Sequence, residues 1–520
     1  MLPETSMVNE QRGRGNDALC VTGYALLASV ALVLGGASAY AQEGHPEEAE
    51  NTRLLGHNDL QARSAYQPIV QKQGDRWIAY VGHHDGTAFN PLTGQVETNG
   101  LSIVDVTNPR RPFYLFHIPS VGGSQMVQTC TGDELPGGEP GKVYLLRTDG
   151  DAGHDVWDVT NPSAPERIAI VTEGLDGTHK NWWECDTGIA YLVADLQPEG
   201  WTTDRGLKIF DLSDPANPVF IRNFGMVGSQ PGATEPPTRD PGIHEPTRLG
   251  DRVYLAYGTS GEGALQILDR TALLEGPSDP TEENLLAPQL ARLDMPDYWG
   301  GHTAWAMEDV VIPEFELFED PESATQGSPR DFVLLTSEST SNSCFEPMQH
   351  MTFFVDITDV AHPFPVSNYH VEEDEGNFCD RGGRFGAHSQ NWSYTDTFYK
   401  KIVVYSWFNA GARVVDVRNP YHPKEVGFYI PATNENTDER CAEIGGIEEC
   451  FIAIQTNNVE VDERGFIYLA DRANTGLHIV ELTGDARQLI DDPVQEAPVA
   501  EDPGDDDGGG DDGGAMAHMN

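Results

Sequence analysis

The chain has 520 residues, with 83 Asp and Glu against 32 Lys and Arg, and a formal net charge of −51. That charge repels phosphates, so it excludes a nucleic-acid-binding surface and equally a polybasic membrane patch. Hydrophobic residues make up 38%, below the roughly 45–50% of average globular chains but enough for a real core in two or three domains or one large repeat architecture. Only seven of the cationic residues are Lys, an acidic, Lys-poor balance that suits a saline setting.

Arg12 and Arg14 precede an apolar run from about Tyr24 to Leu34, and Ala39-Tyr40-Ala41 supplies an A-x-A cleavage site. This is the layout of a secretory signal peptide over residues 1–41, with an uncleaved N-terminal anchor as the alternative reading. The expectation is an exported chain, periplasmic, secreted or at the cell surface, with no membrane span after cleavage. Removing residues 1–41 takes away Cys20 and leaves six Cys, an even number that fits an oxidising compartment. Cys441 and Cys450 share one loop and are expected to pair. Cys344 and Cys379 flank a strand pair and are placed to staple it. Cys130 and Cys185 occupy similar places in successive repeats, where two buried thiols and a bridge both fit. Spacing alone does not decide the connectivity.

After a short segment over 42–51, one pattern recurs. It reads LSIVDVTNPRRP with its core ending at Asp105, HDVWDVTNPSAP at Asp158, LKIFDLSDPANP at Asp211 and LQILDRTAL at Asp269. It returns as TFFVDITDVAHP at Asp356, ARVVDVRNPYHP at Asp416 and LHIVELTG at Glu481. Each copy is an alternating apolar run, a polar turn usually holding Asn-Pro or Asp-Pro, and a second short apolar run. Alternation predicts strands, and the Pro-bearing turn fits a type I connection between antiparallel neighbours. Two further strands lie upstream of each core, so each unit is a four-stranded meander. Seven such units without a helical pattern between them predict an all-β chain, a seven-bladed β-propeller of four-stranded antiparallel blades over 52–488. The seventh unit lacks its own fourth strand, and Thr52–Leu55 is predicted to supply it and close the ring. The long fifth unit holds insertions at about Ile312–Pro329 and Ser339–Met348.

The I-V-D-V-T-N-P cores resemble the LVIVD repeats of bacterial and archaeal exported or surface proteins, including those classed as choice-of-anchor B. The resemblance covers about residues 52–485. It implies a propeller and an exported or surface location, and no particular chemistry. Residues 489–520 carry the acidic, Gly-rich stretch DDPVQEAPVAEDPGDDDGGGDDGG, ten carboxylates without a cation. Such a tract cannot bury enough apolar surface to order itself and reads as a solvated tail, a spacer or a weak calcium-binding run.

In a propeller the first strand of each blade lines the central channel. Four successive units begin that strand alike: GTHKNWW at His179, GIHEPTR at His244, GGHTAWA at His302 and GAHSQNW at His388. The matching places elsewhere are Gln125, Tyr66 and Thr456 or Asn457. The ends of the second strands add His83 and His84, Asp149 and Asp151, Asp195, Tyr257, Glu338, Asn409, and Asp471 with Arg472. One face therefore gathers imidazoles with carboxylates around them, the arrangement that suits a divalent transition metal (Cu, Fe, Mn or Zn). The candidate metal ligands are His179, His244, His302 and His388, with Glu338, Asp195, Asp149, His83 and Asp471 orienting them or binding a ligand. In layout alone this is similar to the four-His iron centre of carotenoid-cleaving oxygenases and the His-lined site of selenium-binding, methanethiol-oxidising proteins. No sequence motif of either is present.

Three readings follow. The first is a binding module whose channel face takes a small molecule, glycan or protein, with or without a metal. The second is a metal-dependent enzyme, an oxidoreductase before a hydrolase, in which Glu184, Glu245 or Glu338 moves protons. Glu245, next to His244 on a strand, is expected to point away. The third is a purely structural surface protein in which each His bonds its own blade's Asp to lock the turns. Asp149-Gly150-Asp151 is a candidate calcium loop or a tight turn. The Trp residues near this face, Trp182, Trp183, Trp299, Trp305, Trp392 and Trp407, suit an apolar or sugar ligand, or inter-blade packing.

Overall fold

A computed structural model describes residues 44–312, 329–342, 350–444 and 447–493. The repeated motif is a stitched corner. Asp105, Asp158, Asp211, Asp356 and Asp416 each accept, through Oδ1, the backbone N–H two residues on, at 2.8–3.1 Å. The next Asn or Asp (Asn108, Asn161, Asp214, Asp359, Asn419) repeats the device. Its carbonyl then closes a four-residue turn, as in Arg111 N–H to Asn108 O at 2.9 Å. Pro follows in four of these five turns, where its fixed φ fits the second position. Thr107, Thr160 and Thr358 also accept the N–H that opens the neighbouring strand, from Trp77, Val143 and Asp331 at 2.9–3.0 Å. Asp269 departs from the pattern. It caps a short helix, Arg270–Glu275, by accepting Ala272 N–H at 2.7 Å. This helix, like Glu282–Leu286, Phe378–Arg381 and Gly484–Asp491, had no counterpart in the strand-only sequence pattern.

The described strands form seven antiparallel blades in chain order, with two separate hairpins, Thr87–Asn90 with Gln95–Thr98 and Glu439–Ile444 with Ile447–Ile452. Blade 1 is Ala65–Gln73, Arg76–His83, Gly100–Asp105 and Phe113–Pro119. Blade 2 runs Val127–Thr131, Val143–Asp149, Gly153–Asp158 and Glu166–Glu173, and blade 3 runs Thr178–Trp183, Ile189–Ala194, Gly206–Asp211 and Val219–Phe224. Blade 4 is Ile243–Leu249, Arg252–Tyr257, Ala264–Asp269 and Gln289–Asp294, and blade 5 is Thr303–Val310, Arg330–Thr336, Thr352–Asp356 and Phe364–Tyr369. Blade 6 has Ser389–Gln390, Ile402–Ser406, Ala412–Asp416 and Lys424–Ile430, with Glu48–Glu50 as a fifth strand at its rim. Blade 7 has Thr456–Val461, Phe466–Asp471 and Gly476–Leu482, and its fourth strand is Thr52–Asn58 from the other end of the chain. The chain-closing strand read from the sequence is therefore present, paired from Thr52–Leu482 to Asn58–Leu477 with a one-residue bulge between Leu54 and Gly56.

Seven hydrophobic clusters each join adjacent blades, and none lies within one blade; that of blades 1 and 2 also takes in Trp392 of blade 6 and Trp182 of blade 3. Blades 7 and 1, for example, share Tyr468, Ala470, Leu477 and Ile479 with Ala65, Ala79, Val81 and Val104. Trp183, Trp305 and Trp407 belong to these interfaces, which is the packing use foreseen for them. Cys130 and Cys185 form a disulfide between blades 2 and 3, and Cys441–Cys450 cross-links a hairpin. Cys379 is disulfide-bonded as well, and its expected partner Cys344 lies outside the described residues. Most of the two insertions of the fifth unit also lies outside them. Ala486 and Ile490 of the C-terminal helix pack on blades 6 and 7, so ordered structure runs past residue 488. No helix among the described residues is long and apolar enough to cross a membrane.

Two outcomes follow. Deleting the chain through Asn58 removes the closing strand and exposes an unpaired blade-7 edge. The melting temperature is expected to fall by about 10 °C or more in a calorimetric scan, and an unchanged scan would mean closure is dispensable. His154 in blade 2 is buried, neither ring nitrogen has a partner, and burial alone holds its pKa down to about 3. An unfolded imidazole titrates near 6.5, so the unfolded chain takes up the extra proton between those values. Stability is then full above about pH 6.5 and falls as the pH drops toward 3. The urea midpoint should decrease from pH 7 to pH 4.5, and His154→Leu should shrink that decrease.

Candidate functional site at the channel mouth

The inner strands start irregularly, and this decides what lines the channel. The pairing register slips by one residue between Ala65 and Pro68, Thr178 and Asn181, Ile243 and Glu245, and Thr456 and Asn458. A β-bulge there gives two residues the space of one, so neighbours no longer alternate strictly across the sheet. His179 and Lys180 are both buried as a result, and so are His244 and Glu245. Glu245 therefore does not point away, as strand alternation had suggested; a ligand atom of Glu245 lies within 4.8 Å of those of His244 and His302.

The four candidate imidazoles form an arc in which each ring touches the next, T-shaped at His179–His244 and tilted at the other two pairs. His179 Nε2 lies 2.5 Å from His244 Nε2. The His244 and His302 rings are 3.6 Å apart between centroids, and those of His302 and His388 4.3 Å. Tyr66 closes the arc, with its hydroxyl 3.4 Å from His179 Nε2 and its ring 5.8 Å from that of His388. All four histidines are under 8% exposed, His302 fully buried. His388 Nδ1 lies 2.5 Å from Asn457 O and donates its proton there, so Nε2 keeps its lone pair and faces Glu338 at 3.7 Å. His302 Nε2 lies at the same distance from the other Glu338 oxygen. Glu338 is also the carboxylate that Arg384 Nη1 reaches at 2.8 Å. Two sets thus qualify as ligand groups, His244–Glu245–His302 and His302–Glu338–His388, and they share His302.

Burial dominates the electrostatics. It holds all four imidazoles well below their usual pKa, so they are neutral and have lone pairs to offer. Burial also raises Glu338, against the pull of Arg384 and Arg472. Below the arc Lys180 Nζ lies 3.6 Å from Glu245, 3.3 Å from Gln67 Oε1 and 4.5 Å from the Tyr66 ring centroid. Burial lowers Lys180 to about 8 and raises Glu245 to about 8. Several nitrogens and oxygens here have no hydrogen-bond partner: both ring nitrogens of His302, Nδ1 of His244 and both oxygens of Glu245. Buried polar atoms are normally paired, and each one left unpaired costs about 1–3 kcal/mol.

The other expected residues lie elsewhere. His83 Nε2 bonds Ser102 Oγ at 2.7 Å, within its own blade. Asp149 Oδ1 accepts from Ser120 Oγ at 2.8 Å and Arg147 Nη2 at 3.1 Å, and neither it nor Asp151 belongs to a metal-competent group among the described residues. Asp195 accepts Gln197 N–H, and Asp471 accepts the N–H groups of Gln455 and Ala473. None of these four bonds an imidazole of the arc. Glu184 is held by Arg270 at 2.6 Å and Tyr191 at 2.8 Å, away from it. The blade-locking account does not describe this geometry, because the core Asp residues cap turns, as given above, and no ring His bonds one. Gln67, Lys180, Arg384 and Asn458 were missed. Lys180 carried a signal, being one of only seven Lys and next to His179, but alternation argued against it.

The LVIVD repeat family matches residues 96–117 and 202–225, the third and fourth strands of blades 1 and 3. This chain is a seven-bladed β-propeller with LVIVD-repeat matches in two of its blades. No curated protein matches its sequence. Among solved structures it is similar to one described as the crystal structure of RRP9 WD40 repeats, with 10% identity and a TM-score of 0.45 over 83% of this chain and 97% of that one. It is also similar to the structure of U3-55K, with 11% identity and a TM-score of 0.46 over 83% and 98%. Neither likeness bears on the chemistry of this propeller's channel.

His302→Leu removes two unpartnered buried nitrogens from the metal-free protein. Its melting temperature in EDTA is expected to equal or exceed that of the wild type. A fall of about 5 °C or more would instead mark the imidazole as a structural lock.

Proposed function

We propose that this LVIVD propeller is an exported binding module that holds a divalent transition metal at the mouth of its channel. His302 would be the central ligand, with His388 and Glu338 on one side and His244 and His179 on the other. The observation that carries this is the unpartnered donor set. Both ring nitrogens of His302, Nδ1 of His244 and the Glu245 oxygens sit buried without a hydrogen bond, Lys180 Nζ lying 3.6 Å from Glu245, in groups whose ligand atoms lie within 4.8 Å. Ligands bound at about 2.0–2.2 Å lie roughly 3–4 Å apart, so modest contraction would suffice. Neutral imidazoles beside a carboxylate suit copper, iron, manganese or zinc more than calcium. The disulfides and the segment at 1–41 support an oxidising compartment.

The residues have separable tasks in this reading. Asn457 O fixes the His388 tautomer and keeps Nε2 available. Arg384 holds Glu338 against the imidazoles and offsets its charge. Tyr66, whose hydroxyl is pushed up by burial, stays protonated and donates toward His179. A bound metal would supply Lewis acidity or redox chemistry there. A second reading, a metal-dependent oxidoreductase, is favoured by one observation: His302, Glu338 and His388 form a two-His, one-carboxylate set, the ligand type of non-haem iron oxygenases.

Metal content by mass spectrometry, on protein from an exported preparation without a His tag, tests the proposal. Near-stoichiometric metal is expected in the wild type and its loss in a His244→Ala, His302→Ala double variant with native circular dichroism. A metal-free wild type, with the variant merely less stable, would sink it.

A further inference from the structure

Two arginines at the channel mouth have guanidinium groups without a partner among the described residues. Arg472 follows the second strand of blade 7, and Arg205 precedes the third strand of blade 3. Only their backbones are bonded. Arg472 N–H donates to Gln455 O at 2.9 Å, and its carbonyl accepts from Ser64 Oγ at 2.8 Å and Arg440 Nη2 at 2.7 Å. Gln455 Oε1 also accepts Arg384 N–H at 3.0 Å, so one residue, through its carbonyl and its side chain, ties the Arg472 and Arg384 backbones together. The Arg205 carbonyl accepts the N–H of Ile243, the residue before His244, at 2.8 Å. Both half-buried side chains act on the arc. The charge of Arg205 bears on Tyr66, His179, His244 and His302, and that of Arg472 on Tyr66 and His388; both bear on Glu338.

Arg384 holds Glu338 at 2.8 Å, and the charges of Arg205 and Arg472 bear on the same carboxylate. Among the described residues no carboxylate forms an ion pair with Arg205 or Arg472, although the chain has 83 Asp and Glu. A guanidinium fork is shaped for two oxygens of one oxyanion and is weakly hydrated, so such unfilled forks in a half-buried mouth fit an incoming anion. The net charge of −51 repels polyanions at long range, while a small anion inside the mouth feels mainly the near charges.

We propose that the channel mouth binds a small oxyanion, a carboxylate or phosphate group, in the forks of Arg205 and Arg472 beside Arg384, with the imidazole arc as its floor. This rests on reading the channel as a ligand site, and it does not require the metal.

Calorimetric titration of inorganic phosphate and, separately, oxalate into metal-free protein tests it, with the metal-loaded protein run in parallel. At least one probe should bind the metal-free wild type, and Arg472→Gln and Arg205→Gln should each weaken it by about tenfold or more at unchanged metal content. Arg472→Lys should recover only part of the affinity, because an ammonium lacks the fork. Phosphate binding alone, or oxalate binding alone, names the source; either supports the inference when it depends on these arginines. Binding of neither probe, or equal affinity in Gln variants with native circular dichroism, overturns it. Should a Gln variant unfold, Arg472→Lys decides, and undiminished affinity there overturns it. Arginine-dependent binding in a protein that takes up no metal upholds this inference while the metal reading fails. Metal uptake without oxyanion binding does the reverse.

Discussion

Every hydrophobic cluster of this propeller is shared between neighbouring blades, and that division of the core governs the rest. A strand's two faces serve two different interfaces, so no blade can bury its apolar residues alone. The ring has to close for the last interface to exist. Closure is made by Thr52–Asn58 pairing with Gly476–Leu482, which ties the start of the folded region to its end. Circular closure also leaves no long sheet edge at that position.

Closing the ring brings the seven inner strands to one axis, where backbone and side chains exclude water. The bulges that start four of these strands feed extra polar side chains into that space. Desolvation then becomes the largest influence on each titratable group there: imidazoles stay neutral, the Glu338 carboxyl is raised and Lys180 is lowered. Neutral imidazoles in a dry site are ready ligands and poor structural bonds. The core Asp residues are meanwhile committed to the turns at the opposite ends of the strands.

The exterior and the mouth have opposite electrostatic character. The chain as a whole is strongly acidic, yet the groups around the arc include Arg205, Arg384, Arg472 and Lys180 against the carboxylates Glu338 and Glu245. A local inversion against the net charge is more informative about a site than the net charge itself, which speaks to solubility and long-range repulsion.

The sequence by itself determined the architecture. The D-x-x-[ND] corner, read at Asp105, Asp158, Asp211, Asp356 and Asp416, encodes its own hydrogen bonds between residues two apart, and such local chemistry is legible without a structure. It also gave away the closing strand, through a unit that was one strand short, and the four in-register histidines. The tertiary structure alone decided which groups meet. Whether Cys130 and Cys185 bridged, whether Glu245 faced the channel, and which carboxylate reached the imidazoles all depended on bulges and on loops from different blades. Asp195, Asp149, His83 and Asp471 occupied equivalent repeat positions to Glu338, yet only Glu338 reached the arc. Periodicity specifies a position within a blade; the length and path of each loop above it decide the direction of the side chain.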